Sequence, residues 1–140
     1  MKRLFGTLLF AIFFFAAPLF AQDEQEMPRL NKKNLIVKEW NTNARGTSKI
    51  LDHITTYSPE GKKIEEIEYD GAGKQRWRKR YEWGENGKMM RELVYDERNK
   101  LVNYKKFEYN AFGKKKTQYT YDPKGKLIST KIFEYIAEDA

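Results

Sequence analysis

The chain has 140 residues, with 27 Lys+Arg against 20 Asp+Glu, one His and no Cys. That length bounds it to one domain with short appendages, and the missing cysteines exclude a disulfide framework, thiolate zinc sites, a Cys nucleophile and a lipid-bearing cysteine. A single His excludes a multi-histidine metal cage, and 40% hydrophobic beside 15% aromatic and 34% charged residues points to strands that bury little.

Residues 1–21 read MKRLFGTLLFAIFFFAAPLFA. Lys2 and Arg3 form a positive start, Leu4 to Ala17 an apolar core, and Pro18 breaks it before Ala21 and the polar run Gln22-Asp23-Glu24-Gln25-Glu26. This is the layout of a secretory signal peptide cut after Ala21. An uncleaved anchor is the competing reading, since the stretch approaches the ~18 apolar residues that span a bilayer. Cleavage removes two positive charges and no acid, lowering +7 to +5. The expected destination is periplasm, cell surface or medium. Residues 22–34 carry no apolar period and read as a flexible leader.

The domain is expected over residues 35–140. Two strands open it, at 35–40 and 47–57, joined by the loop Asn41–Gly46. From there one hexapeptide, aromatic-x-x-x-Gly-Lys, recurs six times: Tyr57 to Lys62, Tyr69 to Lys74, Trp83 to Lys88, Tyr95 to Lys100, Tyr109 to Lys114 and Tyr121 to Lys126. Tyr135 continues the aromatic series, whose spacing alternates between 12 and 14 residues, so the repeating unit is a pair of elements 26 residues long. The hexapeptide encodes a hairpin turn. In Asp122-Pro123-Lys124-Gly125 the proline presets the first central φ and the glycine takes the left-handed position. The same position falls to Gly61, Gly73, Gly87 and Gly113, and to Asn99, the residue that best tolerates it.

Between turns lie runs rich in β-branched and aromatic residues, predicting strands at 62–69, 74–83, 88–95, 100–109, 114–121 and 126–135. The expectation is an all-β antiparallel meander of about eight strands, built from tandem hairpins. It forms an open, twisted single sheet, with curling towards a barrel as the variant. If Asp122 pairs with Lys126, Tyr121 faces Leu127 and odd-numbered residues share one face throughout. That face would carry the repeat aromatics as a ladder, and the other would set Glu68 against Arg76, Glu66 against Arg78 and Arg80 against Glu92. Both edge strands are open to pairing with a partner strand.

The stretch Tyr121-Asp122-Pro123-Lys124-Gly125-Lys126-Leu127 resembles the YD repeat of the RHS family, Tyr-Asp-x-x-Gly-Arg/Lys-Leu, and Tyr69-Asp70 and Tyr95-Asp96 repeat the dipeptide. The Tyr-x-x-x-Gly-Lys pattern is also similar to MORN-variant repeats of bacterial antitoxin-like proteins. The resemblance spans residues 57–135 and implies extended β-sheet on a secreted or surface protein. It assigns no catalytic residue, and six repeats are too few for an enclosing shell.

His53 beside Asp52 or Glu65 would be the place to look for a general base or metal ligand. Neighbours on a strand point to opposite faces, so Asp52 cannot orient His53, which reads as a packed position opposite Ile67. Glu65, Glu66 and Glu68 read as solvated strand charges. No nucleophile elbow, P-loop or metal-spaced cluster occurs. The chain is expected to be non-enzymatic, with no cofactor and no metal. The sharpest binding candidate is Lys74–Tyr81, in which Arg76, Arg78 and Arg80 share one face while Trp77 and Tyr81 share the other. A basic stripe beside aromatic platforms suits a polyanion. For an exported chain the expected partner is another protein or an envelope polymer, such as an acidic glycan or a lipid headgroup, rather than nucleic acid. The bland account is cross-strand pairing, with lysines guarding turns and edges.

Overall fold

The computed structural model describes residues 28–138, so the expected signal peptide, its cleavage site and residues 22–27 of the leader lie outside the described residues. The turns follow from the hexapeptide. At the last of them the Asp122 amide donates to the Lys126 carbonyl at 2.8 Å, and the Gly125 amide to the Asp122 carbonyl at 3.0 Å. The Asp122 carboxylate accepts the amides of Lys124 and Lys126 at 2.9 and 2.8 Å. Asp70, Asp96, Asn110 and Ser58 make the same pair of bonds in their turns. Gly84 has no side chain for this, and Asn86 accepts the Lys88 amide instead. The left-handed position has φ 87° at Gly125 and 60° at Asn99.

Among the described residues eight strands result: β1 (Ile36–Thr42), β2 (Lys49–Tyr57), β3 (Lys63–Tyr69), β4 (Gln75–Trp83), β5 (Met89–Tyr95), β6 (Leu101–Tyr109), β7 (Lys115–Tyr121) and β8 (Leu127–Ile132). They form one antiparallel sheet in sequence order, β1 to β8, which is an open meander and does not close into a barrel. Each strand touches only its neighbours in sequence. β8 stops at Ile132, and one further bond, from the Phe133 amide to the Lys116 carbonyl at 3.0 Å, prolongs the pairing.

The register corrects the sequence expectation. Tyr121 does face Leu127, but the next pair is Thr120 with Ser129, leaving Ile128 as an extra residue on β8. The same slip recurs at Ile64, Arg76, Met90, Val102 and Lys116. Each is a β-bulge, two residues opposing one, and each reverses the parity of everything beyond it. The single odd-numbered face therefore does not exist. Glu68 faces Trp77 rather than Arg76, Glu66 faces Lys79, and Ile67 takes Arg78. Arg80 faces Leu93, and His53 faces Glu68 while Ile67 meets Ile54.

The bulges sort the repeat aromatics onto alternate faces. Tyr69, Tyr95 and Tyr121 lie with Arg78, Arg80 and Arg91 on what we call the arginine face. Tyr57, Trp83 and Tyr109 lie with Glu66, Glu68 and Glu92 on the glutamate face. Trp83 and Tyr109 of the latter group share a plan with Tyr135. Trp83 Nε1 donates to the Lys63 carbonyl at 2.7 Å, Tyr109 Oη to the Met89 carbonyl at 2.6 Å, and Tyr135 Oη to the Lys115 carbonyl at 2.7 Å. A lysine covers each ring of the group: Lys32 over Tyr57 at 5.4 Å, Lys62 over Trp83 at 5.0 Å and Lys88 over Tyr109 at 6.0 Å. Lys32 reaches its place because the Asn34 amide bonds the Ser58 carbonyl at 3.0 Å, docking the end of the leader on the first turn.

No hydrophobic side chain is buried among the described residues; the buried positions are Thr55, Ser58 and Thr117. A single layer has no interior, so aromatic rings, lysine stems and cross-strand pairs take the place of a core.

Candidate functional site

The period of the strand places the five expected binding residues on two surfaces. Arg78 and Arg80 project from the arginine face, while Trp77 and Tyr81 project from the opposite one. Arg76 is the extra residue of its bulge, exposed, with Nη1 3.8 Å from Glu68 Oε1. One ligand resting on a flat face therefore meets the arginines or the Trp77–Tyr81 pair, not both.

On the arginine face the bulges bring in tyrosines that the local sequence does not reveal. Arg78 lies 4.4 Å from the centre of the Tyr95 ring, with Nη1 3.5 Å from Glu65 Oε2. Arg80 approaches the same carboxylate at 4.0 Å. Arg91 grips Glu82 through two bonds, of 2.6 and 2.8 Å, and lies 5.9 Å from Tyr104. That grip holds the Glu82 carboxyl below the usual glutamate range, against a smaller opposing effect of burial. Tyr104 stacks on Tyr121 with centroids 5.1 Å apart and planes at 15°, and Lys106 covers Tyr121 at 5.5 Å. Arg78, Arg91 and Lys106 thus each lie against one of three tyrosines, with Arg80 beside Glu65 on the same face and Glu65 and Glu82 answering part of the charge. Of the tyrosines and of Arg91 and Lys106, sequence reasoning named none as a site; the signal is only the parity change at each bulge.

On the glutamate face the centre is Glu66. Lys63 Nζ bonds it at 2.9 Å, His53 Nε2 lies 3.6 Å away, and the Tyr81 hydroxyl donates to its other oxygen. Burial raises the Glu66 carboxyl, but the bonds from Tyr81 and Lys63, with the charge of Lys63, outweigh it and hold the group below the usual range. The Tyr81 hydroxyl is pushed far above its usual value, first by burial and then by the Glu66 charge it serves. His53 packs edge-on against Trp77, with ring centroids 5.8 Å apart, and Lys79 covers Trp77 at 4.9 Å. Asp52 is occupied elsewhere, accepting Asn41 Nδ2 at 2.9 Å. These partners make a braced ion cluster in which the imidazole, ammonium and phenol all serve one carboxylate.

Two of the shallow hollows along the described strands lie near the turns. One, of about 590 Å³, lies among Asp52, Tyr69, Asp70, Arg76 and Glu97. The other, of about 580 Å³, opens between the turns at Ser58–Lys62 and Gly84–Gly87 over Ile64, Tyr81 and Trp83. No group of three or more His, Asp or Glu positioned to hold a metal occurs among the described residues. Compared with known proteins, the chain matches no family model and no curated protein.

Proposed function

We propose that this is an exported, non-enzymatic β-repeat protein that presents a sheet surface to another macromolecule. The observation that carries this reading is the single layer: the described sheet leaves both faces in solvent, with Trp, Tyr and Arg side chains on them. Aromatic and arginine side chains are those that interfaces favour. The titratable cluster around Glu66 supports the non-catalytic part, because Lys63 and the Tyr81 hydroxyl both bond its carboxylate, with His53 3.6 Å away. Export rests on the layout of residues 1–21, and kinship with YD-repeat and MORN-variant proteins rests on the turn motif. A photo-crosslinking residue at Tyr95, on the arginine face, or at Val94, on the glutamate face, tests the reading in the envelope fraction of the exporting cell. A discrete adduct from one face is expected; adducts from neither would overturn it.

The second reading is a polyanion or glycan module, favoured by Arg78, Arg91 and Lys106 against Tyr95, Tyr104 and Tyr121, with Arg80 on the same face. Retention on heparin resin that weakens with salt, and falls in an Arg78/Arg80/Arg91→Ala variant, is its expected outcome. Retention unchanged by the triple substitution would rule this face out.

A further inference from the structure

An antiparallel sheet exposes unpaired backbone only at its edges, here β1 and β8. The outward groups can be assigned on both. The Phe133 amide bonds inward to the Lys116 carbonyl, and the Leu35 carbonyl accepts the Tyr57 amide, also inward. Direction alternates along a strand, so Thr130, Ile132 and Glu134 turn N–H and C=O outward from β8, as Lys38, Trp40 and Thr42 do from β1. Among these residues two large apolar side chains stand in solvent, Ile132 exposed to 72% and Trp40 to 43%.

β1 also begins as the strands that follow an internal turn do. Asn31 Oδ1 accepts the Lys33 amide at 3.0 Å, as Asn110 Oδ1 accepts that of Phe112, and Asn34 takes the left-handed position with φ 53°. In β3, β5 and β7 the fourth residue after the left-handed one lies opposite the residue that precedes a repeat aromatic: Glu65 opposite Thr56, Arg91 opposite Glu82 and Thr117 opposite Glu108. In β1 the fourth residue after Asn34 is Lys38, and the residue before Tyr135 is Glu134. We propose that β8 of one copy of this chain pairs antiparallel with β1 of a second copy, Glu134 lying opposite Lys38.

The repeat and the backbone select this register independently, since Glu134 and Lys38 both bond outward. Its pairs use residues 130–134 of β8, all beyond the extra residue Ile128, so each partner stays on its proper face. On the arginine face Ile132 meets Trp40 and Thr130 meets Thr42, beside Glu134 and Lys38. On the other face Phe133 meets Glu39 and Lys131 meets Asn41, with Lys131 diagonal to Glu39. An opposite-charge pair and an apolar pair thus replace two solvated edges. A slide of two residues, the smallest that keeps the bonding direction, would set Ile132 against Lys38 or Glu134 against Trp40. The contact is heterologous, so copies add in a row as one continuous sheet. This assembly goes beyond the binding role proposed above and does not depend on it.

The absence of cysteine from the chain makes the test direct. Lys131 and Asn41 are exposed, and as a non-hydrogen-bonded pair they would bring Cα atoms to about 4.5 Å, within disulfide reach. Under mild oxidation a mixture of full-length Lys131→Cys and Asn41→Cys should give a covalent dimer that neither variant gives alone. Adding Glu134→Lys to the first should cut the yield several-fold, and adding Lys38→Glu to the second should restore it. Restoration also shows that the charge reversal did not unfold the strand. The double variant Lys131→Cys/Asn41→Cys should give a ladder of multimers. No dimer in the mixture, equal dimers from either variant alone, indifference to Glu134→Lys, or a double variant that closes only within its own chain would each overturn the proposal.

Discussion

Glu66 shows how one carboxylate organises its surroundings in a sheet that lacks an interior. Its folded-state pKa is lowered, so the unfolded chain binds the proton more readily than the folded one. The stability it contributes is therefore complete above the ordinary value of 4.5 and is lost as pH falls through the lower, folded value. Glu82, held low by Arg91, acts in the same direction. Chemical denaturation between pH 7 and pH 3 should show this acid loss, and Glu66→Gln should flatten it while lowering stability at pH 7. Tyr81→Phe removes a donor to a charged acceptor and should cost about 1.5–3 kcal/mol by urea unfolding. The backbone makes a comparable demand at Gly125, with φ 87° and the Tyr104 hydroxyl 3.5 Å from where a Cβ would stand. Gly125→Ala should cost about 1–2 kcal/mol, and Gly125→Asn less.

At the scale of a hairpin, turn and strand were differently legible. The turns could be read because Asp, Pro, Gly and Asn each have a stated conformational reason to stand where they do, and Tyr121 opposite Leu127 follows from the turn alone. The bulge one step further could not. Ile64, Arg76, Met90, Val102, Lys116 and Ile128 occupy it, and no property common to those side chains marks an extra residue. Past the bulge each strand alternates as expected, so Arg78 and Trp77 stand on opposite faces, but Arg76, expected on the face of Arg78 and Arg80, is the extra residue and reaches Glu68 instead. Beyond the first pair after each turn the bulge shifts the expected pairings by one, as at Glu68, Glu66 and Arg80, so Tyr95 and Tyr104 come beside the arginines only once it is placed. The aromatic braces belong to this scale too. Trp83→Phe keeps a ring beneath Lys62 but loses the bond to the Lys63 carbonyl, and should cost about 0.5–1.5 kcal/mol. Tyr109→Phe should match it, since the bond to Met89 is equivalent. Very different losses from the two would show that the braces are not repeats of one device.

As a whole molecule the sheet is held together by contacts between neighbours alone. Stability in such an array is close to a sum of strand terms and nearest-neighbour terms, so opening starts at the ends. In the single chain, amide hydrogen exchange should be slowest in β4 to β6 and fastest in β1 and β8. Uniform protection across the strands would contradict that gradient. Unfolding should also release an unusually small heat capacity, below the ~12–15 cal/mol/K per residue of ordinary domains, since little apolar surface is hidden to begin with.

The alternating bulges have one more consequence, for growth. Each hairpin moves the chain to the next position, swaps its ends and exchanges its faces, so two steps are needed before the pattern recurs in phase. That is the 26-residue period written in space. Duplicating such a unit between β4 and β7 would widen the sheet by two strand spacings, about 9.5 Å, while leaving both end strands and both faces as they are. Duplicating half a unit would put the added aromatic on the wrong side and reverse every strand beyond it. The molecule can thus lengthen only by pairs, and its two sides lengthen together.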